Sequence, residues 1–343
     1  MKPIRYLNWT EGKWRKGDSE MAISYNKNPE EKKATRDGFG RALVELGEAD
    51  KNVWALTADV SESTRTHWFA EKFPSRFVQI GIAEQNMAGV AAGIATCKKR
   101  AFISSFGAFS PGRNWEQIRV SICYNNVPVI IHASHTGITV GPDGASHQIL
   151  EDLSLMRVLP NMNVVVPSDF LQAKKATWLL YEQNMPGYLR TSREKVPTLT
   201  DAETPMELGK SNLYIEGTDV AILSCGPILY QSLLAAEELK KEGISAAVVD
   251  MYSIKPIDAE RIKEMAKKTG LLVTAEEHQV DGGMGTAVAD ILSSYKNDAV
   301  LRRHGIYNRF CESGSAAELL IKYKLDSYGI AEVVKEEVKK IKG

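Results

Sequence analysis

Apolar, strand-like runs alternate with amphipathic or alanine-rich segments from residue 36 onward, and this alternation constrains the fold more than any other feature of the chain. Such alternation is typical of a mostly parallel sheet that is covered by helices on both faces. The sequence therefore predicts an α/β fold with a doubly wound sheet. The first series of strands is predicted at residues 53–57, 101–104, 127–132 and 164–166.

A second, smaller α/β series follows a polar, proline-broken connector. We predict its strands at residues 220–223, 246–249 and 271–274, and its helices at residues 228–242, 258–268 and 285–294. The charged closing run, residues 330–342, is predicted to be a solvated helix. The expected organisation is an N-terminal extension (1–28) that wraps over a neighbour or stays mobile, a first domain (29–194), a linker (195–213) and a second domain (214–343).

The composition argues against nucleic-acid and membrane partners. The 343 residues include 43 basic and 43 acidic side chains, so there is no excess positive charge to neutralise phosphates. No stretch approaches the roughly 18 apolar residues of a membrane span, and the polar start lacks the apolar core of a signal peptide. The four cysteines are widely spaced and read as free thiols rather than metal ligands. We therefore expect a cytoplasmic protein that binds neither nucleic acid nor membranes.

One glycine-rich loop, HTGITVGPDGASH, carries two imidazoles and a carboxylate. It directly follows a buried apolar run and contains His135, Asp143 and His147. Loops at the carboxyl ends of strands are where open α/β sheets bind ligands. These side chains can hydrogen-bond hydroxyl groups, and histidine can also transfer protons near neutral pH. The loop therefore predicts a site for a polyhydroxylated substrate.

Glu84 stands at the head of an apolar, alanine-rich helix. The helix dipole favours a glutamate in the first turn, which is a sufficient structural explanation. The small residues of the helix also allow another backbone to approach closely, so the carboxyl group could be buried at an interface and take part in proton transfer. Phe106 and Phe109 follow the next predicted strand, either as core residues or as a platform for a flat heteroaromatic ring.

Four segments, in this order, resemble the C-terminal half of transketolase. The resemblance covers nearly all of residues 30–335 and implies a pyrimidine-binding domain followed by the transketolase C-terminal domain. It also implies transfer of a two-carbon ketol unit from a ketose phosphate to an aldose phosphate with thiamine diphosphate as cofactor. The segments are GIAEQNMAGVAAGIA, HTGITVGPDGASHQ, EEHQVDGGMGTAVAD and RFCESGSAAELLIKYKLD.

The resemblance assigns cofactor roles to residues of this chain. Glu84 matches the glutamate that hydrogen-bonds the pyrimidine N1′ of thiamine diphosphate and assists proton transfer within the cofactor. Phe106 and Phe109 match the aromatic pocket of the pyrimidine ring, and Asp59 resembles a cofactor-proximal aspartate. Gly112 stands where transketolases usually place a tyrosine, which leaves that wall of the pocket partly open.

The resemblance also implies a substrate site. Three residues match positions that hold the sugar phosphate, namely Arg36, Ser63 and Arg193. Guanidinium groups suit that role because they bind phosphate bidentately. The two histidines of the glycine-rich loop match catalytic groups that, with the loop aspartate, face the sugar hydroxyls and carbonyl. His132 is read as structural, and His278 belongs to a resembling segment without an assigned role.

The half-site for the diphosphate and its metal is missing from this sequence. In the superfamily these groups are held by a Gly-Asp-Gly start and a downstream asparagine, and no such pair is found here; Asp281-Gly282-Gly283 lies in the other domain. The resemblance therefore implies an N-terminal partner subunit that holds the diphosphate and a divalent metal such as Mg²⁺. We expect an α2β2 heterotetramer, because symmetric closure is common. The pathway, pentose phosphate metabolism or a specialised sugar catabolism, stays open.

Three alternatives stay open as well. A 2-oxoacid dehydrogenase β-type subunit shares the architecture, although a small oxoacid needs no remote phosphate clamp. A 1-deoxyxylulose-5-phosphate synthase-like chain usually carries both half-sites. A non-catalytic paralogue is expected to have lost Glu84, which is present here.

Overall fold

The computed structural model describes residues 22–342, which form two large sheets with covering helices and one antiparallel pair of short strands (Lys32–Ala34 with Lys195–Pro197). Of the predicted N-terminal extension, residues 1–21 lie outside the described part. Residues 22–28 form neither helix nor strand. The Ile23 N–H donates to the Leu213 carbonyl (2.8 Å) and the Asn26 N–H donates to the Leu199 carbonyl (2.9 Å), so this segment lies along the predicted linker.

The strands of the described chain are short and mostly buried. They are β1 (Lys32–Ala34), β2 (Val53–Thr57), β3 (Phe77–Gln79), β4 (Arg100–Phe106), β5 (Val129–Ser134), β6 (Asn163–Val165), β7 (Gly187–Arg190), β8 (Lys195–Pro197), β9 (Asn212–Ile215), β10 (Val220–Ser224), β11 (Ala246–Asp250), β12 (Ser253–Lys255), β13 (Leu271–Gln279) and β14 (Val300–Ile306).

The α-helices lie between these strands. They are α1 (Thr35–Ala49), α2 (Ser61–Thr64), α3 (His67–Lys72), α4 (Glu84–Thr96), α5 (Trp115–Gln117), α6 (Asp152–Arg157), α7 (Phe170–Gln183), α8 (Ile228–Lys241), α9 (Ala259–Thr269), α10 (Met284–Ser293), α11 (Ala316–Lys322) and α12 (Ser327–Lys342). Two 3₁₀ segments (Pro74–Arg76, Ile138–Asp143) and a π-helical segment (Ile118–Tyr124) complete the chain. No helix among residues 22–342 is long and apolar enough to cross a membrane.

The first sheet has seven strands in the order β12-β6-β7-β5-β4-β2-β3. Every neighbouring pair is parallel except β12 with β6. The adjacent residues Phe102 and Ile103 of β4 belong to two separate apolar clusters, because successive side chains of a strand point to opposite faces. Both faces are therefore covered, as in a doubly wound sheet.

The second sheet has five strands in the order β14-β13-β10-β11-β9, and only β9 is antiparallel to its neighbour. Strand β12 comes from this half of the chain but pairs with β6 of the first sheet, where Ser253 lies opposite Val165. The second half of the chain therefore contributes one strand, β12, to the first sheet. The predicted α/β class with mostly parallel sheets is confirmed; the exact domain boundaries stay predictions.

Several elements were not predicted, and two differences from the sequence prediction concern burial. The closing helix α12 is solvated on one face only: Glu332, Glu336 and Lys339 are exposed, whereas Ile330, Val334 and Val338 are buried against the rest of the second domain. Strand β7 was not predicted, since its short sequence contains Gly187 and Arg190. It is nevertheless a buried inner strand, and Arg190 tolerates burial through an ion pair with Asp152.

Candidate active site

The predicted site residues lie at one edge of the first sheet. Strands β3, β2, β4, β5 and β7 are parallel neighbours, so their carboxyl ends share this edge. Open α/β sheets bind ligands at such an edge. In the order of the strands, the edge carries Glu84, Asp59, Phe106, His135 and Arg193.

Glu84 is the first residue of α4, and its side chain is only 1% exposed. A buried carboxylate is costly unless a charged partner compensates it. That partner is Arg113, whose Nη1 donates to Glu84 Oε2 at 2.8 Å. Asn114 Nδ2 donates to the Glu84 backbone carbonyl at 3.1 Å and fixes the start of the helix. The carboxylate is thus held in one place at the sheet edge.

The rings of Phe106, Phe109, His135 and His147 form one group, which we call the aromatic cluster. The two phenylalanine centroids lie 6.2 Å apart with the planes at 27°. Phe106 contacts His135 (4.0 Å between centroids) and Phe109 contacts His147 (5.5 Å). Arg113 joins this cluster to the buried carboxylate, since its guanidinium lies 4.8 Å from the Phe109 centroid. The cluster and the carboxylate are therefore one continuous site.

Arg36, in the first turn of α1, fixes the protonation of His135. Its Nη1 lies 3.2 Å from His135 Nε2 and donates to the Ser63 backbone carbonyl at 2.9 Å. A guanidinium has no acceptor, so Nε2 must accept, and the ring proton resides on Nδ1, which donates to Ser134 Oγ at 2.8 Å. Burial, together with Arg36 and Arg193, lowers the pKa of His135 to about 3.

His135 is therefore neutral near pH 7 and acts as a hydrogen-bonding group. The sequence predicted proton transfer near neutral pH; it identified Arg36 and Arg193 as substrate-site residues, but it did not reveal the burial of the ring or their closeness to it. Burial and the neighbouring Arg65 also lower the pKa of Arg36 to about 10. Among the described residues, Arg36 Nε is buried without an acceptor. Such an orphaned donor suits an anionic ligand.

Arg193 and Asp143 face each other across the same edge. Arg193 Nη1 lies 3.3 Å from Asp143 Oδ2 and 3.3 Å from the Val140 carbonyl. Both side chains are about one-third exposed, so solvent screens the pair. The glycine-rich loop thus brings its carboxylate to the predicted phosphate-binding arginine.

Asp59 and Ser63 make backbone contacts at this edge, and the backbone at Gly112 is tightly packed. The exposed Asp59 has φ +61° and donates its backbone N–H to Gln79 Oε1 (2.8 Å); no contact in the described chain joins its carboxylate to the cluster. Ser63 offers its backbone carbonyl to Arg36. At Gly112 a Cβ would lie 2.1 Å from the Ala108 carbonyl oxygen, so the tight backbone itself excludes a side chain there.

The sequence analysis did not identify Arg113, Thr139 or Glu277. Arg113 directly follows Gly112. A basic residue so close in sequence to Phe106 and Phe109 was the feature that could have identified it. Glu277 stands in the resembling segment EEHQ, but its partner Thr139 is 138 residues away. His132 is structural as expected: it is fully buried between Ser104 and Thr191 and stacks on Phe39.

The donor set fits the pyrimidine end of thiamine diphosphate. A ring nitrogen needs a buried carboxylate, and a flat ring needs aromatic walls, which the site provides in Glu84, Phe106 and Phe109. For the metal, no group of three or more His, Cys, Asp or Glu side chains within residues 22–342 is arranged to hold an ion.

Comparison with known proteins defines the class of the two domains. Residues 31–198 match the transketolase pyrimidine-binding domain, and residues 209–330 match the transketolase C-terminal domain. The chain belongs to the transketolase family.

Within the family the chain is related to subunits of split transketolases. It is 44% identical to the "Putative transketolase C-terminal section" of Methanocaldococcus jannaschii, over 90% of this chain and 97% of that one. It is 37% identical to one subunit of the apulose-4-phosphate transketolase of Phocaeicola vulgatus, over 90% and 98% of the two chains. A solved structure described as a split-gene transketolase, inactive β4 tetramer, shares 44% identity with a TM-score of 0.81, over 89% and 98% of the chains.

Proposed function

We propose that this chain is the C-terminal subunit of a split, thiamine diphosphate-dependent transketolase. It would transfer a two-carbon ketol unit from a ketose phosphate to an aldose phosphate. One observation carries the proposal: the buried Glu84 carboxylate, the aromatic cluster and two guanidinium groups meet at the carboxyl edge of the sheet. This combination suits a heteroaromatic cofactor next to a phosphorylated, polyhydroxylated substrate.

Thiamine diphosphate, when bound, supplies the stabilised carbanion that breaking a carbon–carbon bond next to a carbonyl requires. Glu84 would hold a proton at the pyrimidine N1′ through Oε1, since Arg113 contacts Oε2. Phe106 and Phe109 would pack against the pyrimidine ring and exclude water. We keep Asp59 as a cofactor-proximal residue in this proposal, although its carboxylate is exposed.

The substrate side of the proposal divides into two groups. Arg36, with its orphaned Nε donor, Arg193 and Ser63 would bind the sugar phosphate, and the Ser63 backbone carbonyl would also orient Arg36. His135 would hydrogen-bond a substrate oxygen as a neutral imidazole. Asp143 and His147 would face the sugar hydroxyls. His147 stays the candidate for proton transfer, because it lies on the open side of the aromatic cluster.

We propose an N-terminal transketolase subunit as partner, carrying the sites for the diphosphate and Mg²⁺, in an α2β2 assembly. Two features support this. The relatives named above match this chain over almost their whole length as sections or subunits. Next to Glu84, Ile82 is 74% exposed, and at Gly89 and Gly93 a Cβ would meet no atom within 4 Å. Another backbone could therefore approach this face of α4 closely.

The test is to purify this chain with its native partner and to measure two-carbon transfer between sugar phosphates with added thiamine diphosphate and Mg²⁺. We expect transfer that requires both subunits and the cofactor. Two further assays test the alternative functions. Glyceraldehyde phosphate with pyruvate tests the 1-deoxyxylulose-5-phosphate synthase-like reaction, and a lipoyl-bearing acceptor tests the 2-oxoacid dehydrogenase reaction. Activity with either of these instead of a ketose donor, or no activity with any, would contradict the proposal.

A further inference from the structure

The glycine-rich loop is held in place by the second domain. We call residues 135–148 the substrate loop. Glu277, at the end of β13, is only 3% exposed, and its Oε2 accepts from the Thr139 N–H (3.0 Å) and from Thr139 Oγ1 (2.8 Å). The loop also fits closely around this carboxylate: at Gly137, with φ +78°, a Cβ would lie 2.5 Å from Glu277 Oε2.

Glu277 itself is anchored to the first domain. Arg190 Nη2 donates to the Glu277 backbone carbonyl at 2.9 Å, and the same guanidinium makes an ion pair with Asp152. The next residue of β13, His278, accepts the Leu153 N–H at 3.2 Å. The backbone that carries the carboxylate is therefore immobilised on the domain to which the substrate loop belongs.

A second segment of the C-terminal domain touches the other end of the loop. Gln148 Nε2 bridges the two domains, since it lies within hydrogen-bonding distance of the Ile138 carbonyl (3.3 Å) and of the Glu312 carbonyl (3.2 Å). At Gly144 a Cβ would lie 2.4 Å from Ser313 Oγ. The loop is thus enclosed by the second domain at both ends.

The contact at Thr139 leads directly to the proposed phosphate site. The neighbouring Val140 carbonyl lies 3.3 Å from Arg193 Nη1, and the same nitrogen faces Asp143 of the loop. A shift of the backbone at Thr139 therefore moves an acceptor that orients the arginine. Glu277 itself touches neither the aromatic cluster nor the arginine in the described contacts.

We propose that Glu277 is a positioning residue, through which the C-terminal domain sets the geometry of the substrate loop for phosphate and hydroxyl recognition. The expected effect on KM rests on the proposed function, whereas the contact between Glu277 and the loop exists in this chain whatever its activity. It gives the C-terminal domain a role in substrate binding without a substrate contact.

Two measurements test the inference. Hydrogen exchange of the isolated chain reports on loop order, and steady-state kinetics of the complete complex separate KM from kcat. The variants are Glu277→Ala, which removes the acceptor, Glu277→Gln, which keeps one, and Thr139→Val, which removes only the hydroxyl. The matched control is Glu276→Ala, because Glu276 is equally buried on the same strand but accepts from Met284 N–H and Gly285 N–H at the start of α10.

We expect Glu277→Ala to accelerate exchange in residues 138–146 by about ten-fold or more, because two hydrogen bonds to a buried carboxyl group are lost. KM for a phosphorylated donor should rise by a similar factor, with a smaller change in kcat. Glu277→Gln should restore part of the slow exchange and part of the low KM. Thr139→Val should change exchange and KM in the same direction as Glu277→Ala, but by less. The control should lower stability without a selective effect on the loop or KM.

Folded Glu277→Ala and Thr139→Val variants with unchanged loop exchange would refute the contact's role. Faster exchange with a KM rise no larger than that of Glu276→Ala would refute positioning. Absence of sugar transfer by the unsubstituted complex would instead refute the proposed function, and the exchange data would still decide whether Glu277 orders the loop.

Discussion

The buried ion pair between Asp152 and Arg190 gives the clearest quantitative prediction. Asp152 is fully buried and accepts three hydrogen bonds: from Arg190 Nε (2.7 Å), Arg190 Nη2 (3.2 Å) and the Tyr188 hydroxyl (2.6 Å). Burial alone would raise the pKa of Asp152, but the charge and hydrogen bonds of Arg190, with the Tyr188 hydrogen bond, lower it below its ordinary value. The carboxylate is therefore ionised throughout the neutral range and neutralises a guanidinium that is 4% exposed.

Asp152→Asn should lower the free energy of unfolding by about 3–5 kcal/mol, because it leaves Arg190 buried with an uncompensated charge. In this variant Arg190 keeps its hydrogen bond to the Glu277 backbone carbonyl but loses its ionised partner. Since whole domains are stable by only about 5–15 kcal/mol, this loss is large enough to measure by urea denaturation followed by circular dichroism.

Two controls accompany this measurement. Glu260→Gln removes a carboxylate that is 83% exposed in its ion pair with Lys263, and it should change the stability by less than about 1 kcal/mol. The double variant Asp152→Asn/Arg190→Gln should be more stable than Asp152→Asn alone, since it removes the unpaired charge. A loss below about 1 kcal/mol for Asp152→Asn, or additive losses in the double variant, would refute the reasoning.

Three further predictions concern charge at and near the site. Arg193→Ala should raise KM for phosphorylated donors about ten-fold and leave unphosphorylated donors nearly unaffected, as expected for a charge-assisted contact at a partly exposed site; equal effects on both would exclude phosphate recognition. The His135 ring should stay neutral in an NMR titration from pH 8 to pH 5, because its pKa is lowered to about 3; a midpoint near 6.5 would contradict the Arg36 contact. Burial, with nearby Asp169, raises the pKa of Asp250 to about 8, so its contribution to stability is full below about pH 4 and is lost as the pH rises towards 8. Asp250→Asn should therefore gain stability relative to the unsubstituted chain between pH 4 and 8; a pH-independent difference in unfolding free energy would contradict this.

The sequence predicted the elements whose signal is local. Strand β2 was predicted at its observed bounds, and α8 within one residue, because each is a continuous apolar or amphipathic run. The sequence also placed His135 in a loop that follows a strand; in the structure Glu84 lies at the same edge, because parallel strands share their carboxyl ends.

Three features that were missed depend on distant partners. Arg190 of strand β7 can be buried because it forms an ion pair with Asp152, which lies 38 residues earlier in the chain. No local sequence pattern predicts that pairing. The contact between Glu277 and Thr139 spans 138 residues and two domains. The neutral state of His135 likewise depends on Arg36, 99 residues away. Sequence reasoning identified the chemical groups of the site, but their protonation and support arise from tertiary contacts.

The most direct test of the central claim is the rate of two-carbon transfer by the complete complex with Glu84 and with Glu84→Gln. Glutamine keeps the size of the side chain and can still meet Arg113, so folding and subunit assembly should be preserved, but the amide cannot hold and release a proton as a carboxylate does. We predict that Glu84→Gln assembles normally and loses most of the thiamine diphosphate-dependent turnover. Turnover near that of the unsubstituted complex would contradict the assignment of Glu84 and with it the proposed function.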